Sequence, residues 1–347
     1  MPDRVYLDHA ATTPMLAEAR AAMAEAFAHW ANPSSPHAEG RAARAALEQA
    51  RARIKAALGW DHALIFTSGA SEAAALALGR SHHARHAISA VEHDALRRAA
   101  AGAAVLPVDR FGLVDPDALP DDALVAIQSV NSETGAIQPL DRIADAVRAR
   151  GGCWIADCAQ SAGKIALPDA DMIIVSAHKL GGPPGIGALL VRDLALLRPD
   201  GGQEQGYRGG TENLPAILGF AAALEARGSR AHLEGLRATL DAGVRAAGGA
   251  VVAEGSPHLA EIGSYHLPGV AAAAQLIELD MAGIAVSAGS ACSSGTLRPS
   301  AVLKAMGWED DAAREVIRVS MAPQTSAADV ARFLEAWTAL ARRRQAA

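Results

Sequence analysis

Seven short apolar runs punctuate the first part of the chain, at residues 64–67, 87–90, 105–108, 124–130, 154–157, 172–176 and 188–191. Most are continuous rather than alternating, the pattern of strands buried on both faces. Between them lie segments of helical period, such as 42–58, where Leu47, Ile54 and Leu58 share one stripe. This alternation predicts a mainly parallel, seven-stranded sheet flanked by helices. After about residue 233 the pattern changes. A long helix over 233–247 leads into a short run at 251–253 and then a glycine-bearing stretch at 287–295. A terminal helix starts at a cap, Ser326, with Asp329 three residues on, and carries Val330, Phe333, Leu334, Trp337 and Leu340 on one face. The expected architecture is therefore α/β. A large domain spans 16–232, and a smaller α+β domain combines 1–15 with 233–347.

Composition narrows the classes. The 347 residues are half hydrophobic, ample for a sizeable core. A net charge of −6 and 4% aromatics argue against nucleic acid as the main partner. Three cysteines, Cys153, Cys158 and Cys292, are too few and too scattered for a disulfide framework or a zinc site, which fits a reducing compartment and no metal. No stretch approaches the ~20 apolar residues of a spanning helix, and the N-terminal MPDRVYLDHAATTP has no long apolar run. The expectation is a cytoplasmic protein without membrane attachment.

Candidate chemistry gathers where strands end, since ligands of open parallel sheets sit beyond the carboxyl ends. The chain has four lysines against twenty-eight arginines, yet one lysine, Lys179, stands in VSAHKLGGPPGIG (175–187), just past the run 172–176. Arginine keeps its proton at any ordinary pH, whereas a desolvated lysine can become a free amine. The run 154–157 ends on Asp157, and a buried acid needs a partner or a cleft. The run 64–67 enters Ser68-Gly69-Ala70-Ser71, a small-residue turn before a helix, which can present N–H groups and hydroxyls to an anion. Each signal alone has a bland reading as a helix cap or a tight turn. Together, an aldehyde-binding lysine, a carboxylate and a phosphate cradle are what pyridoxal 5'-phosphate requires.

Ten motifs then occur in family order: YLDHAATTP, NPSSPH, FTSGASEA, VEH, VNSETG, DCAQSAGK, SAHKLGGPPGIG, RGGTEN, SAGSACSSG and IRVSM. On these the chain resembles, nearly end to end, the class V, fold type I pyridoxal-phosphate family, and within it the cysteine desulfurases of the NifS/IscS type. The resemblance implies that Lys179 binds the cofactor covalently and that Asp157 pairs with its ring nitrogen. His93 would stack on the ring and move protons, and Gln160 would bond its phenolic oxygen. The phosphate would be held by Ala70, Ser71, Ser176 and His178, with Thr211 reaching the site of a neighbouring subunit in a homodimer. Arg318 would hold the carboxylate of the substrate, L-cysteine, with Asn131, Ser132 and Asn32 also at the substrate site. Where the family usually reads Asn-Asn-Glu, this chain reads Asn131-Ser132-Glu133, which shortens one of those contacts.

Cys292 sets the expected reaction. Its surroundings, Ser287 to Gly295, are small and polar, whereas Cys153 and Cys158 lie at or beside an apolar strand and read as inert. The resemblance makes Cys292 the nucleophile that takes the sulfur as a persulfide and passes it to an acceptor protein, such as an iron–sulfur scaffold, for iron–sulfur cluster assembly or thiolation. Two rival readings use the same scaffold: a selenocysteine lyase or a small amino-acid aminotransferase. A third is a non-catalytic sulfur-assembly partner.

Overall fold

A computed structural model describes residues 4–29, 31–288 and 299–345. Twelve strands run in chain order: β1 (Val5–Tyr6), β2 (Ala63–Thr67), β3 (His86–Ser89), β4 (Ala104–Leu106), β5 (Leu124–Ala126), β6 (Cys153–Asp157), β7 (Met172–Ser176), β8 (Gly187–Val191), β9 (Ala250–Val251), β10 (Ile262–His266), β11 (Ile284–Ala285) and β12 (Val316–Ser320). Seven form the central sheet, in the order β2-β8-β7-β6-β5-β3-β4. In this sheet β8 runs opposite in direction to the other six strands. Every residue of β6, β7 and β8 is buried, which is why their sequences read as unbroken apolar runs.

Four helices matter for the site: α1 (Ala17–Ala28), α2 (Ala38–Leu58), α3 (Ala70–Arg80) and α4 (Asp94–Ala99). α2 begins four residues before the expected start, because His37 caps it by accepting from the Gly40 amide at 3.2 Å. β5 is shorter than the expected 124–130. Beyond Ala126 the chain carries the buried polar residues Gln128, Ser129 and Asn131, and it doubles back through a bridge between Val130 and Ile137.

A separate core lies at the other end of the molecule. There β9, β10 and β12 form an antiparallel sheet, and β1 pairs in parallel with β11. Val5 and Leu7 pack with Tyr265, Phe333 and Trp337 in that core, so the N-terminal segment joins the C-terminal part. The helix Ala327–Gln345 starts at Ser326, whose amide and hydroxyl both bond the Asp329 carboxylate while its own oxygen caps the Asp329 amide.

Two glycines fix the turn after β2. Gly69 has φ 147° and ψ −176°, a conformation open essentially to glycine alone. A Cβ at Gly187 would stand 2.5 Å from the Val175 carbonyl oxygen and 2.8 Å from the Gly69 Cα. The Gly187→Ala variant is therefore overpacked by about 1–3 kcal/mol. Thermal unfolding should show a lowered midpoint, and cofactor affinity should fall with it because the strained neighbour is the turn itself.

Candidate active site

A cavity of about 770 Å³ opens at the carboxyl ends of the parallel strands and is lined from both parts of the chain. That volume suits a cofactor and a small substrate together. Asp157 ends β6 and Lys179 follows β7, the adjacent parallel strand. Both line the cavity, so the two strand ends place acid and amine side by side. Asp157 Oδ1 accepts from the Ala159 amide at 2.8 Å, which holds its carboxylate at the strand end. Burial lowers the Lys179 pKa, the Asp157 charge works against that shift, and Arg318 adds to it. Lys179 forms no ion pair among the described residues. Its amine is thus shifted toward the neutral form a nucleophile or base needs.

The turn Ser68–Ser71 lies at the N-terminus of α3, where the first amides have no carbonyl a turn behind them. Ala70, Ser71, Ser176 and His178 all line the cavity. Burial and Lys179 push the His178 pKa down to about 4, so its ring is neutral near pH 7 and contacts Thr12 Oγ1 through Nδ1 at 3.2 Å. Glu72 accepts from the Ser68 amide and pairs with Arg208 at 2.9 Å, tying the turn to the RGGTEN segment. Gln160 lies behind the lining residues and donates to the Ala10 carbonyl at 2.9 Å, while among the described residues its Oε1 is buried without a partner. A cradle of donors, an orphaned buried acceptor and a desolvated amine facing an acid fit pyridoxal phosphate.

His93 caps α4, its Nδ1 accepting from the Ala95 amide at 3.2 Å, which leaves the ring proton on Nε2. Burial lowers its pKa, and Lys179 reinforces the shift. Arg318, on β12, donates to the Ser132 carbonyl at 2.9 Å and pairs with Asp8 at 3.0 Å. Ser132 thus meets Arg318 through its backbone. Asn131 is turned away from the cavity: its Oδ1 accepts from the Glu133 and Thr134 amides, both at 2.9 Å, and its Nδ2 donates to the Val91 carbonyl at 3.2 Å. Asn32 and Thr211 are exposed and outside this cavity.

Five carboxylates at the cavity were given no role from the sequence: Asp8, Glu72, Glu92, Asp94 and Glu133. Burial raises the Glu92 pKa well above the ordinary value, and its nearness to Asp157 adds to this although the Gln128 amide opposes it. Glu133 accepts from Ser300 Oγ at 2.5 Å. The position of Asp8 inside YLDHAATTP and of Glu92 inside VEH was the available signal.

Cys292 lies outside the described residues. Cys153 and Cys158 are buried. Burial pushes the Cys158 thiol up to about 12, and burial together with Asp171 raises Cys153 as well. Neither forms a thiolate near neutral pH.

Residues 5–333 match the family Aminotransferase class-V. A cysteine desulfurase of Cereibacter sphaeroides is 35% identical, with 96% of this chain and 94% of that protein covered. A putative cysteine desulfurase, IscS 1, of Bacillus subtilis (strain 168) is 36% identical over 92% of this chain and 93% of its own length. The solved NifS-like protein from Rickettsia africae ESF-5 superposes with a TM-score of 0.89 at 28% identity, covering 97% of this chain and 99% of that one. The chain belongs to the class-V aminotransferase family. Its enzyme class is more specific: it is a pyridoxal-phosphate-dependent cysteine desulfurase. Among the described residues no helix is long and apolar enough to cross a membrane.

Proposed function

We propose that the chain converts L-cysteine to L-alanine with Lys179, Asp157, His93 and Arg318 working in the cavity, and that Cys292 receives the sulfur. The observation that carries this is the meeting of Lys179, Asp157 and Arg318 in one cavity whose rim includes both ends of the Cys292 segment. Ala288 and Pro299 line that cavity. Reciprocal backbone bonds of 3.1 and 2.6 Å fix Ser287 against Arg318. Cys292 follows Ala288 by four residues, and such a length of chain spans at most about 14 Å.

Bound pyridoxal phosphate supplies an aldehyde for the substrate amine and a ring that withdraws electrons from its carbon framework. Ala70, Ser71, Ser176 and His178 would hold its phosphate, Asp157 its ring nitrogen, and Gln160 and His93 its ring. Arg318 would orient the substrate carboxylate by its planar pair of donors. The Lys179 amine, with His93 beside it, takes the α-proton and returns it to carbon. The Cys292 thiolate attacks the substrate sulfur. An S–S bond forms as the C–S bond breaks, and the electron pair stays with the carbon that is then protonated. The net change is L-cysteine plus a thiol to L-alanine plus a persulfide.

The acceptor is a partner protein serving iron–sulfur cluster assembly or thiolation, and the working form is a homodimer in the cytoplasm. Thr211, exposed and outside the cavity of its own chain, is consistent with a role at a partner copy's site. The intact lysine, acid and histidine count against a non-catalytic partner. Mass spectrometry after adding L-cysteine to the holoenzyme tests the reading. We expect one extra sulfur atom, mapped to Cys292, with alanine released. Glutamate formed from a keto acid instead would identify an aminotransferase.

A further inference from the structure

Arg318 does not wait alone for a carboxylate. It carries five N–H donors and no acceptor. One goes from Nη1 to the Ser132 carbonyl at 2.9 Å, and one from Nη2 to Asp8 Oδ1 at 3.0 Å. Among the described residues Nε is buried without a partner. That leaves two N–H groups, one on each terminal nitrogen, which is the set a bidentate carboxylate uses. Asp8 therefore braces one flank of the guanidinium while Ser132 braces the other.

The backbone holds Asp8 in that place. It follows β1 and bridges in parallel to Ser320, two residues beyond Arg318 on β12. The Ser320 amide donates to the Leu7 carbonyl at 2.8 Å, and the Ala11 amide donates to the Asp8 carbonyl at 3.1 Å. The side chain is mostly buried, faces the cavity and has Arg318 as its single ion-pair partner among the described residues.

The charge count follows. Asp8 already neutralises Arg318, so a bound α-carboxylate brings the pair to a net negative charge. A second carboxylate on the ligand would meet Asp8 and Glu133 in the same cavity. The other arginine at the wall, Arg97, spends donors on the Glu92 and Ala90 carbonyls.

We propose that Asp8 is a positioning and specificity-determining residue, holding Arg318 for one carboxylate and excluding amino acids that carry a second. This rests on the reading that Arg318 binds the substrate carboxylate. It makes the pocket one for amino acids with small uncharged side chains and unfit for aspartate or glutamate.

The test is titration of the holoenzyme with L-alanine and with L-aspartate, followed by calorimetry, for wild type, Asp8→Asn and Asp8→Ala. The Asp8→Asn protein keeps an oxygen toward Nη2 and nearly the same shape, so it folds. Like-charge contacts of this kind are worth on the order of 10- to 100-fold in binding. We expect wild type to favour alanine, and Asp8→Asn to narrow the alanine-to-aspartate ratio by at least about tenfold, chiefly by tightening aspartate. In Asp8→Ala, which frees the arginine flank, KM for L-cysteine should rise about tenfold with kcat within a fewfold. An unchanged ratio in Asp8→Asn, with cysteine still converted, overturns the role of Asp8 and leaves the reading of the pocket standing. Wild type that binds neither amino acid overturns both.

Discussion

The Lys179→Ala protein loses turnover of L-cysteine by about a thousandfold or more, because one residue supplies both the covalent anchor and the proton-transferring amine. Its cofactor remains bound only through the phosphate cradle and Asp157. Borohydride should fix pyridoxal phosphate to the wild-type chain and leave it dialysable from the variant, a readout independent of activity. Cofactor still fixed to the variant would reassign the anchor. The electrostatics add a pH expectation. Burial lowers the folded pKa of this amine, so its neutral form is populated at lower pH than for an exposed lysine. In wild type the proton-transfer step should accelerate as pH rises through that lowered value and level off above it.

The second large effect is at sulfur. Cys292→Ser should keep cofactor binding and its absorbance, since neither Lys179 nor Asp157 is touched, while alanine formation from cysteine drops to background. A hydroxyl has neither the acidity nor the sulfur-accepting ability of a thiolate. Cys153 and Cys158 cannot stand in for it, because burial holds both as thiols. If the variant gave alanine and sulfide at the wild-type rate, the persulfide would have to form elsewhere or not at all.

Much of this arrangement was legible in the residues. Continuous apolar runs such as 172–176 matched the pattern of strands covered on both sides, and β7 is buried at every position. Asp157 closed one such run and Lys179 followed another, and the pairing of β6 with β7 brings both to one cavity. The Ser326–Asp329 cap followed from two polar residues at the right spacing. Other features were hidden because they depend on contacts distant in sequence. Nothing in YLDHAATTP says that Asp8 meets an arginine 310 residues away. The loss of Asn131 from the cavity reflects local competition: a short amide side chain satisfies its own turn more readily than it reaches a ligand. β5 ended early for a similar reason, where buried polar side chains gave the backbone other partners.

The pairing of β1 with β11, and of Leu7 with Ser320, has a temporal consequence. During translation the lysine and its acid emerge midway, but the guanidinium and the hydrogen-bonding edge that seats the first strand come only with β12. A nascent chain can therefore assemble the sheet and still be unable to hold an amino acid. Competence arrives last, once the two ends of the polypeptide have met.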